Sequence, residues 1–229
     1  MSTMKWAPGA EPQARNEARR APRCPEVVKA AKKRGITSIV HFTRRKGLVG
    51  ILASSAVKSR RDLPEDSRVK HVYEANAADR RFDQLWHDYI NLSVTSINLH
   101  MFSFSRREHP EDDWVILEFS RKILGDPGVV FCTTNNIYPA ARRGRGLRGF
   151  EQMFADEVPG RYGRITTRSS RSPRHTTDLQ AEVLYPFELS LQHLHTITVP
   201  DDDTYEAVDA ALANFCHEPK IELDPEAFR

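Results

Sequence analysis

Apolar and polar residues alternate over several short stretches of the chain, and this pattern predicts a mixed α+β protein. Two stretches stand out: residues 36–43 are rich in β-branched residues, and residues 181–185 carry an acidic residue between apolar neighbours. Apolar residues at helical spacing predict a helix over 47–52, and Pro25 at its first position with Gly35 after its end predicts another over 25–35. Asp203 is the predicted cap of a later helix. Further strands are predicted at 90–95, 101–104, 114–119, 129–132 and 197–199.

The acidic residue in the second stretch is Glu182, which follows a polar turn at residues 177–180. Alternation puts Ala181, Val183 and Tyr185 on one face of the strand and Glu182 on the other. An unpaired carboxylate is costly to bury, so this pattern favours a strand beside a cleft in which Glu182 performs chemistry. A glutamate on an edge strand that faces water fits the same pattern.

Length and composition indicate one folded domain. The chain has 229 residues and a mass of 26.2 kDa, with 39% hydrophobic and 28% charged residues and a mean hydropathy of −0.56. The proline- and arginine-rich residues 1–24 are predicted to be a flexible basic arm, and residues 25–229 a single domain. No apolar run approaches the roughly 20 residues that cross a bilayer, so we expect a cytoplasmic protein without a membrane partner.

Cysteine and histidine spacing favours neither a disulfide framework nor a metal site. The three cysteines are far apart in sequence, and no histidine pair has HExxH spacing. We therefore expect no metal.

Positive charge is concentrated between residues 142 and 174, where nine arginines face three acidic residues although the net charge of the chain is +3. This arginine-rich stretch predicts a long functional loop over residues 144–177 that contacts phosphates. An ordinary solvated loop is the alternative. The candidate DNA-binding residues are Arg164, Arg168, Arg171, Arg174 and the interleaved aromatic residue Tyr162.

Three blocks of sequence, taken in order, resemble the DarT family of DNA ADP-ribosyltransferase toxins. They are His41-Phe42-Thr43, then Arg81-Phe82-Asp83 leading to residues 98–102, and finally residues 180–184 around Glu182. The likeness spans roughly residues 36–199. The second block and the helix after His41 depart from the usual family pattern, which indicates a divergent branch.

The resemblance implies an ADP-ribosyltransferase-like split β-sheet core with flanking helices and a long arginine-rich substrate loop. It also implies NAD as co-substrate, and no GxGxxG motif follows a strand to suggest a Rossmann site instead. Glu182 would be catalytic, His41 and Thr43 would bind NAD, and Arg81, rather than Arg80, would serve both catalysis and NAD binding. A structural strand-end histidine and an arginine in a surface ion pair are the alternatives.

The activity implied by the resemblance is transfer of ADP-ribose from NAD to a base of single-stranded DNA, with thymine favoured over guanine. The protein would be the toxin of a toxin–antitoxin pair that blocks replication and acts in phage defence, with a macrodomain-type antitoxin as partner. Unpaired DNA suits this chemistry, because base pairing occupies the attacked nitrogen. The residues also leave open an ADP-ribosyltransferase or phosphotransferase that acts on RNA or protein, or a non-catalytic nucleic-acid-binding module.

Overall fold

The computed structural model describes residues 20–63, 86–169, 171–216 and 218–229. Within these parts, the helices are α1 (Pro25–Lys33), α2 (Arg45–Ser54), α3 (Leu99–Glu108), α4 (Gly146–Gln152) and α5 (Asp202–Leu212). The strands are β1 (Ser38–Arg44), β2 (Ala56–Lys58), β3 (Tyr89–Val94), β4 (Trp114–Ser120), β5 (Val130–Cys132), β6 (Arg143–Gly144), β7 (Glu157–Pro159), β8 (Ile165–Thr167), β9 (Glu182–Pro186), β10 (Glu188–Ser190), β11 (Leu194–Val199) and β12 (Lys220–Leu223).

A large sheet with the strand order β12-β11-β4-β1-β3-β9-β5-β6 forms the centre of the described fold. The strand β1 pairs with β4 from Ser38 to Arg44, whereas its pairing with β3 covers Ile39 and Val40. Beyond Val40 the two strands diverge and the sheet splits. The α+β class and the split sheet predicted from the sequence are therefore confirmed.

Both faces of the sheet are covered, because strands in its middle carry apolar residues on either side. The main core packs β1, β3, β4 and β9 against α1, α2, α4 and α5. On the opposite face, Phe102 of α3 packs with Val40, Trp114 and Phe228. A third, smaller cluster of Val130, Cys132 and Leu184 lies on β5 and on β9, the strand that contains Glu182. The sheet that contains Glu182 is therefore packed against apolar residues on both faces.

The structure confirms the strands predicted near 36–43, 90–95, 114–119, 129–132, 181–185 and 197–199. The strand predicted at 101–104 is wrong, because these residues belong to α3. The side chain of Asn98 caps this helix by accepting a hydrogen bond from the Met101 N–H at 3.2 Å. Phe102 is buried while Phe104 is 41% exposed, so the two rings lie on different sides of a helix and not on one face of a strand.

Two further features, the cap of α5 and the loop before β9, differ from the predictions. The cap of α5 is Asp201 and not Asp203, since the Asp201 carboxylate accepts the Thr204 N–H at 2.8 Å. The loop predicted at 144–177 contains α4 and the hairpin formed by β7 and β8. Residues 1–19 of the predicted arm lie outside the described residues. The end of the arm is attached to the domain, since the Cys24 N–H donates to the carbonyl oxygen of Gly125 at 2.8 Å.

In the described parts of the chain, no helix is both long and apolar enough to span a membrane.

Candidate active site

Glu182 begins β9, an interior strand of the sheet that lies between β3 and β5. Its side chain is buried, with 4% of the residue exposed, so the water-facing edge glutamate is ruled out. The backbone N–H of Asn136 donates to its carboxylate Oε2 at 2.8 Å. A hydrogen bond from an amide stabilises a buried carboxylate and fixes its orientation.

His41 lies where β1 and β3 separate. Its Nδ1 is 3.0 Å from the carbonyl oxygen of Asn91 on β3, so Nδ1 carries a proton and donates it across the gap. The pairs Val40–Ser93 and Leu92–Val183, continued by one residue, put Glu182 beside Ser93. Val40 and Glu182 are thus two strands apart, about 10 Å between backbones, and His41 is the first residue of β1 beyond its pairing with β3. Thr43 is buried further along β1, at 5% exposure.

Residues 133–142, which connect β5 to β6, form a polar segment that we call the brace loop. Besides the bond to Glu182, this loop makes two hydrogen bonds to the turn before β9. Thr134 Oγ1 donates to Asp178 Oδ2 at 2.6 Å, and the Tyr138 hydroxyl donates to Gln180 Oε1 at 3.0 Å. Burial, together with the negative charges of Asp178 and Glu182, raises the pKa of the Tyr138 phenol, which therefore stays protonated as a donor. The brace loop thus contacts alternate residues from 178 to 182.

The hairpin formed by β7 and β8 carries an exposed aromatic residue at its tip. Tyr162 is 90% exposed and has a left-handed backbone with φ of 57°. The Arg161 guanidinium lies 4.7 Å from the centre of the Tyr162 ring and 6.0 Å from that of the Tyr138 ring. A Cβ atom added at Gly160 would lie 3.4 Å from Asp178 Oδ2. The hairpin tip therefore adjoins the turn that leads to Glu182.

The predicted DNA-binding arginines differ in what surrounds them. The Arg168 guanidinium donates to the carbonyl oxygens of His175 at 3.1 Å and Ser172 at 3.2 Å. These bonds close the turn after the hairpin. The other arginines are Arg164 and Arg174, which are exposed, and Arg171, which is half-buried.

Arg80 and Arg81 lie outside the described residues, so the catalytic arginine stays a prediction. The sequence reasoning missed Asn136, Tyr138 and Arg143, the last of which donates from Nε to Asn136 Oδ1 at 2.6 Å. The polar run at residues 133–136 directly after a buried strand is the one sequence signal that could have drawn attention to them.

Among the described residues, one group has potential metal ligands close together: atoms of His109, Glu111 and Asp112 lie within 4.8 Å of one another. The Asp112 carboxylate accepts Arg44 at 3.2 Å and Lys46 at 3.0 Å, so two cations already balance its charge. The ionisable partners of Asp112 within the described chain are Arg44, Lys46 and His109, and Glu182 is not among them.

Comparison with known proteins identifies the class. The family model for DarT, described as ssDNA thymidine ADP-ribosyltransferase, matches residues 40–229. The chain belongs to the DarT family. This assignment confirms the resemblance seen in the sequence and the predicted class of enzyme, an NAD-dependent ADP-ribosyltransferase of single-stranded DNA.

Solved structures show the same fold. The Thermus sp. 2.9 DarT in complex with NAD+ has a TM-score of 0.60 and 18% identity, over 84% of this chain and 98% of that chain. The same Thermus protein in complex with ADP-ribosylated ssDNA matches with a TM-score of 0.60 and 18% identity, over 85% and 97%. Thermosipho africanus DarTG in complex with ADP-ribose gives 0.53 and 13%, over 84% of this chain and 51% of that chain. Comparison with curated proteins gives no match.

Proposed function

We propose that this protein transfers ADP-ribose from NAD to thymine in single-stranded DNA, with Glu182 as the catalytic carboxylate. One observation carries the proposal: a glutamate on an interior strand of the sheet is 4% exposed and accepts an amide hydrogen bond at 2.8 Å, close to the split. Burying a carboxylate costs free energy, so a buried and oriented one next to a cleft indicates chemistry.

The proposed reaction exchanges one glycosidic bond for another. The bond between ribose C1′ and the nicotinamide nitrogen breaks, its electron pair leaves with nicotinamide, and positive charge develops on the ribose. The Glu182 carboxylate stabilises that charge. It also accepts the proton of the thymine ring nitrogen, whose electron pair forms the new bond to C1′. Nicotinamide leaves as a neutral molecule, and the proton passes from Glu182 to water.

NAD would bind at the split between β1 and β3. His41 and Thr43 lie at this position and offer hydrogen bonds to the ribose hydroxyls and the carboxamide of NAD. His41 is held by its bond to Asn91, so its ring has a fixed direction. Arg81 would add a guanidinium near the pyrophosphate, a group that arginine binds well.

The hairpin and the turn after it would bind the DNA. Tyr162 offers an exposed ring for stacking, and Arg164, Arg171 and Arg174 offer charges for phosphates. Arg168 would act from inside, by holding the turn in shape. Stacking on an exposed ring requires an unpaired base, which favours single-stranded DNA.

The biological role that we propose is that of a cytoplasmic toxin neutralised by a macrodomain-type antitoxin that removes ADP-ribose. The similarity to the longer Thermosipho africanus DarTG, whose structure is in complex with ADP-ribose, supports this proposal. Modified template bases would block replication, which would also limit phage growth.

The test is incubation of the protein with NAD labelled in the adenylate moiety and equal amounts of single-stranded DNA, duplex DNA, RNA and protein. We expect label on single-stranded DNA that contains thymine, and little on oligonucleotides that lack it. Label on RNA or protein instead would support a different acceptor class. Binding of DNA without any NAD consumption would reduce the protein to a nucleic-acid-binding module.

A further inference from the structure

Arg143 occupies the short edge strand β6, and its guanidinium is turned onto the brace loop. Its Nε donates to the side-chain Oδ1 of Asn136 at 2.6 Å, and its Nη2 donates to the carbonyl oxygen of the same residue. Its Nη1 donates to the carbonyl oxygen of Ala141 at 3.1 Å. The guanidinium also lies 5.6 Å from the centre of the Trp86 ring. Arg143 thus holds both the side chain and the backbone of Asn136.

Asn136 is held on its other sides as well. It is 1% exposed, and its Oδ1 also lies 3.7 Å from the Cys132 sulfur, which can donate its proton. Cys132 is directly opposite Glu182 in the pairing of β5 with β9. The Asn136 N–H donates to Glu182 Oε2. The residue that supplies this N–H is therefore held by Arg143 and by Cys132 of β5.

We propose that Arg143 is a positioning residue that sets the orientation of the Glu182 carboxylate through Asn136. The inference rests on the proposed catalytic role of Glu182. A carboxylate that must meet both a ribose and a base nitrogen has little tolerance for displacement, and an error of about 1 Å in such a site can reduce the rate about 100-fold. Within the arginine-rich stretch, Arg143 thus serves the catalytic glutamate and not the DNA phosphates.

Single-turnover kinetics test this role with Arg143→Ala. We expect the rate of ADP-ribose transfer to fall about 10- to 100-fold. The KM values for NAD and for single-stranded DNA should stay within about threefold, because the residue contacts neither. Arg107→Ala is the charge-matched control: Arg107 is exposed on α3 and should leave the rate unchanged. A loss that appears entirely in the KM for DNA would overturn the proposal.

A double-mutant cycle with Asn136→Ala separates positioning from general structural damage. This substitution removes the Oδ1 acceptor but keeps the backbone N–H that reaches Glu182. The carbonyl oxygen that accepts Arg143 Nη2 also remains. If Arg143 acts through Asn136, the double variant should therefore lose less rate than the product of the two single losses. Rate losses that multiply would contradict the coupling. If Arg143→Ala does not fold, Arg143→Lys, which can keep one bond to the carbonyl oxygen of Asn136, takes its place and should show an intermediate loss.

Glu182→Ala, measured in the same experiment, distinguishes failure of the proposed function from failure of the proposed role of Arg143. An inactive wild-type protein, or an active Glu182→Ala variant, would refute the proposed function. An active wild type with an inactive Glu182→Ala variant and a fully active Arg143→Ala variant would refute the role of Arg143 alone.

Discussion

Removing the exposed ring of Tyr162 should weaken DNA binding without harming the fold. The residue is at the tip of the hairpin, 90% exposed, with Arg161 4.7 Å from its ring centre. An aromatic side chain left in water beside a cation is suited to stack with an unpaired base. We therefore expect Tyr162→Ala to lose that stacking.

The expected magnitude follows from the exposure and the backbone of this residue. Stacking of one base on an aromatic ring contributes about 1–3 kcal/mol, so Tyr162→Ala should weaken binding of single-stranded DNA about 5- to 150-fold. The φ of 57° imposes a strain of about 1–2 kcal/mol on tyrosine and on alanine. Tyr162→Gly removes that strain but adds about 0.5–1 kcal/mol of unfolded-state entropy. The glycine variant should therefore be slightly more stable and still bind DNA poorly.

The assay is fluorescence anisotropy with a thymine-containing oligonucleotide, combined with urea unfolding of each variant. Tyr162→Phe is the matched control, since it keeps the ring and loses the hydroxyl that accepts Arg161 at 2.9 Å. The phenylalanine variant should bind within about threefold of wild type. Equal affinities for wild type and Tyr162→Ala would refute the stacking argument, and so would a phenylalanine variant as weak as alanine.

Two further predictions concern the ion pairs of Asp112 and Asp113 and the choice between Arg80 and Arg81 as the catalytic arginine. Asp112→Ala should lower the free energy of unfolding by about 3 kcal/mol, because the Arg44 side chain is 3% exposed and would lose this carboxylate partner. Asp113→Ala is the control: its ion pair with Arg45 is half-exposed, so the loss should be under about 1 kcal/mol. Burial opposes ionisation of Asp112, but hydrogen bonds from neighbouring cations outweigh it and hold its pKa below the ordinary value, so this stabilisation should be present at neutral pH and lost as the pH falls through that pKa. Equal urea midpoints for the two variants would contradict this account. Arg81→Ala should slow single-turnover transfer at least about 100-fold, or 2.7 kcal/mol, and Arg80→Ala should have little effect; the reverse order would exchange their roles.

Local patterns were sufficient to predict the central strands. A β-branched run ending in His41 and an alternating run around Glu182 correspond to β1 and β9, because burial on both faces of a sheet leaves a strong imprint in the sequence. Residues 101–104 misled the prediction, since Phe102 and Phe104 are separated by the polar Ser103 as on one face of a strand. The cap at Asn98 decided the helix, and a short run of alternation cannot outweigh a capped helix that buries Phe102.

The surroundings of Glu182 could not be predicted in the same way. Asn136 reaches it through a backbone N–H, a group that nearly every residue type supplies, across a separation of 46 residues. Arg143 was counted with the other arginines, and nothing in its sequence context shows that its guanidinium points at the backbone of the brace loop. Such contacts depend on tertiary packing, so they become visible in the structure alone.

Mass spectrometry of the reaction product is the decisive experiment for the catalytic role of Glu182 and for thymine as the acceptor. The wild-type protein and Glu182→Ala are each incubated with NAD and a single-stranded oligonucleotide that contains one thymine, and the modified nucleotide is located by fragmentation. With the wild-type protein, we expect one ADP-ribosyl group on the thymine base. With Glu182→Ala we expect no product, although that variant should bind NAD within about tenfold of wild type. Modification at the wild-type rate by Glu182→Ala would refute the catalytic role of Glu182, and ADP-ribose on another nucleotide would refute thymine as the acceptor.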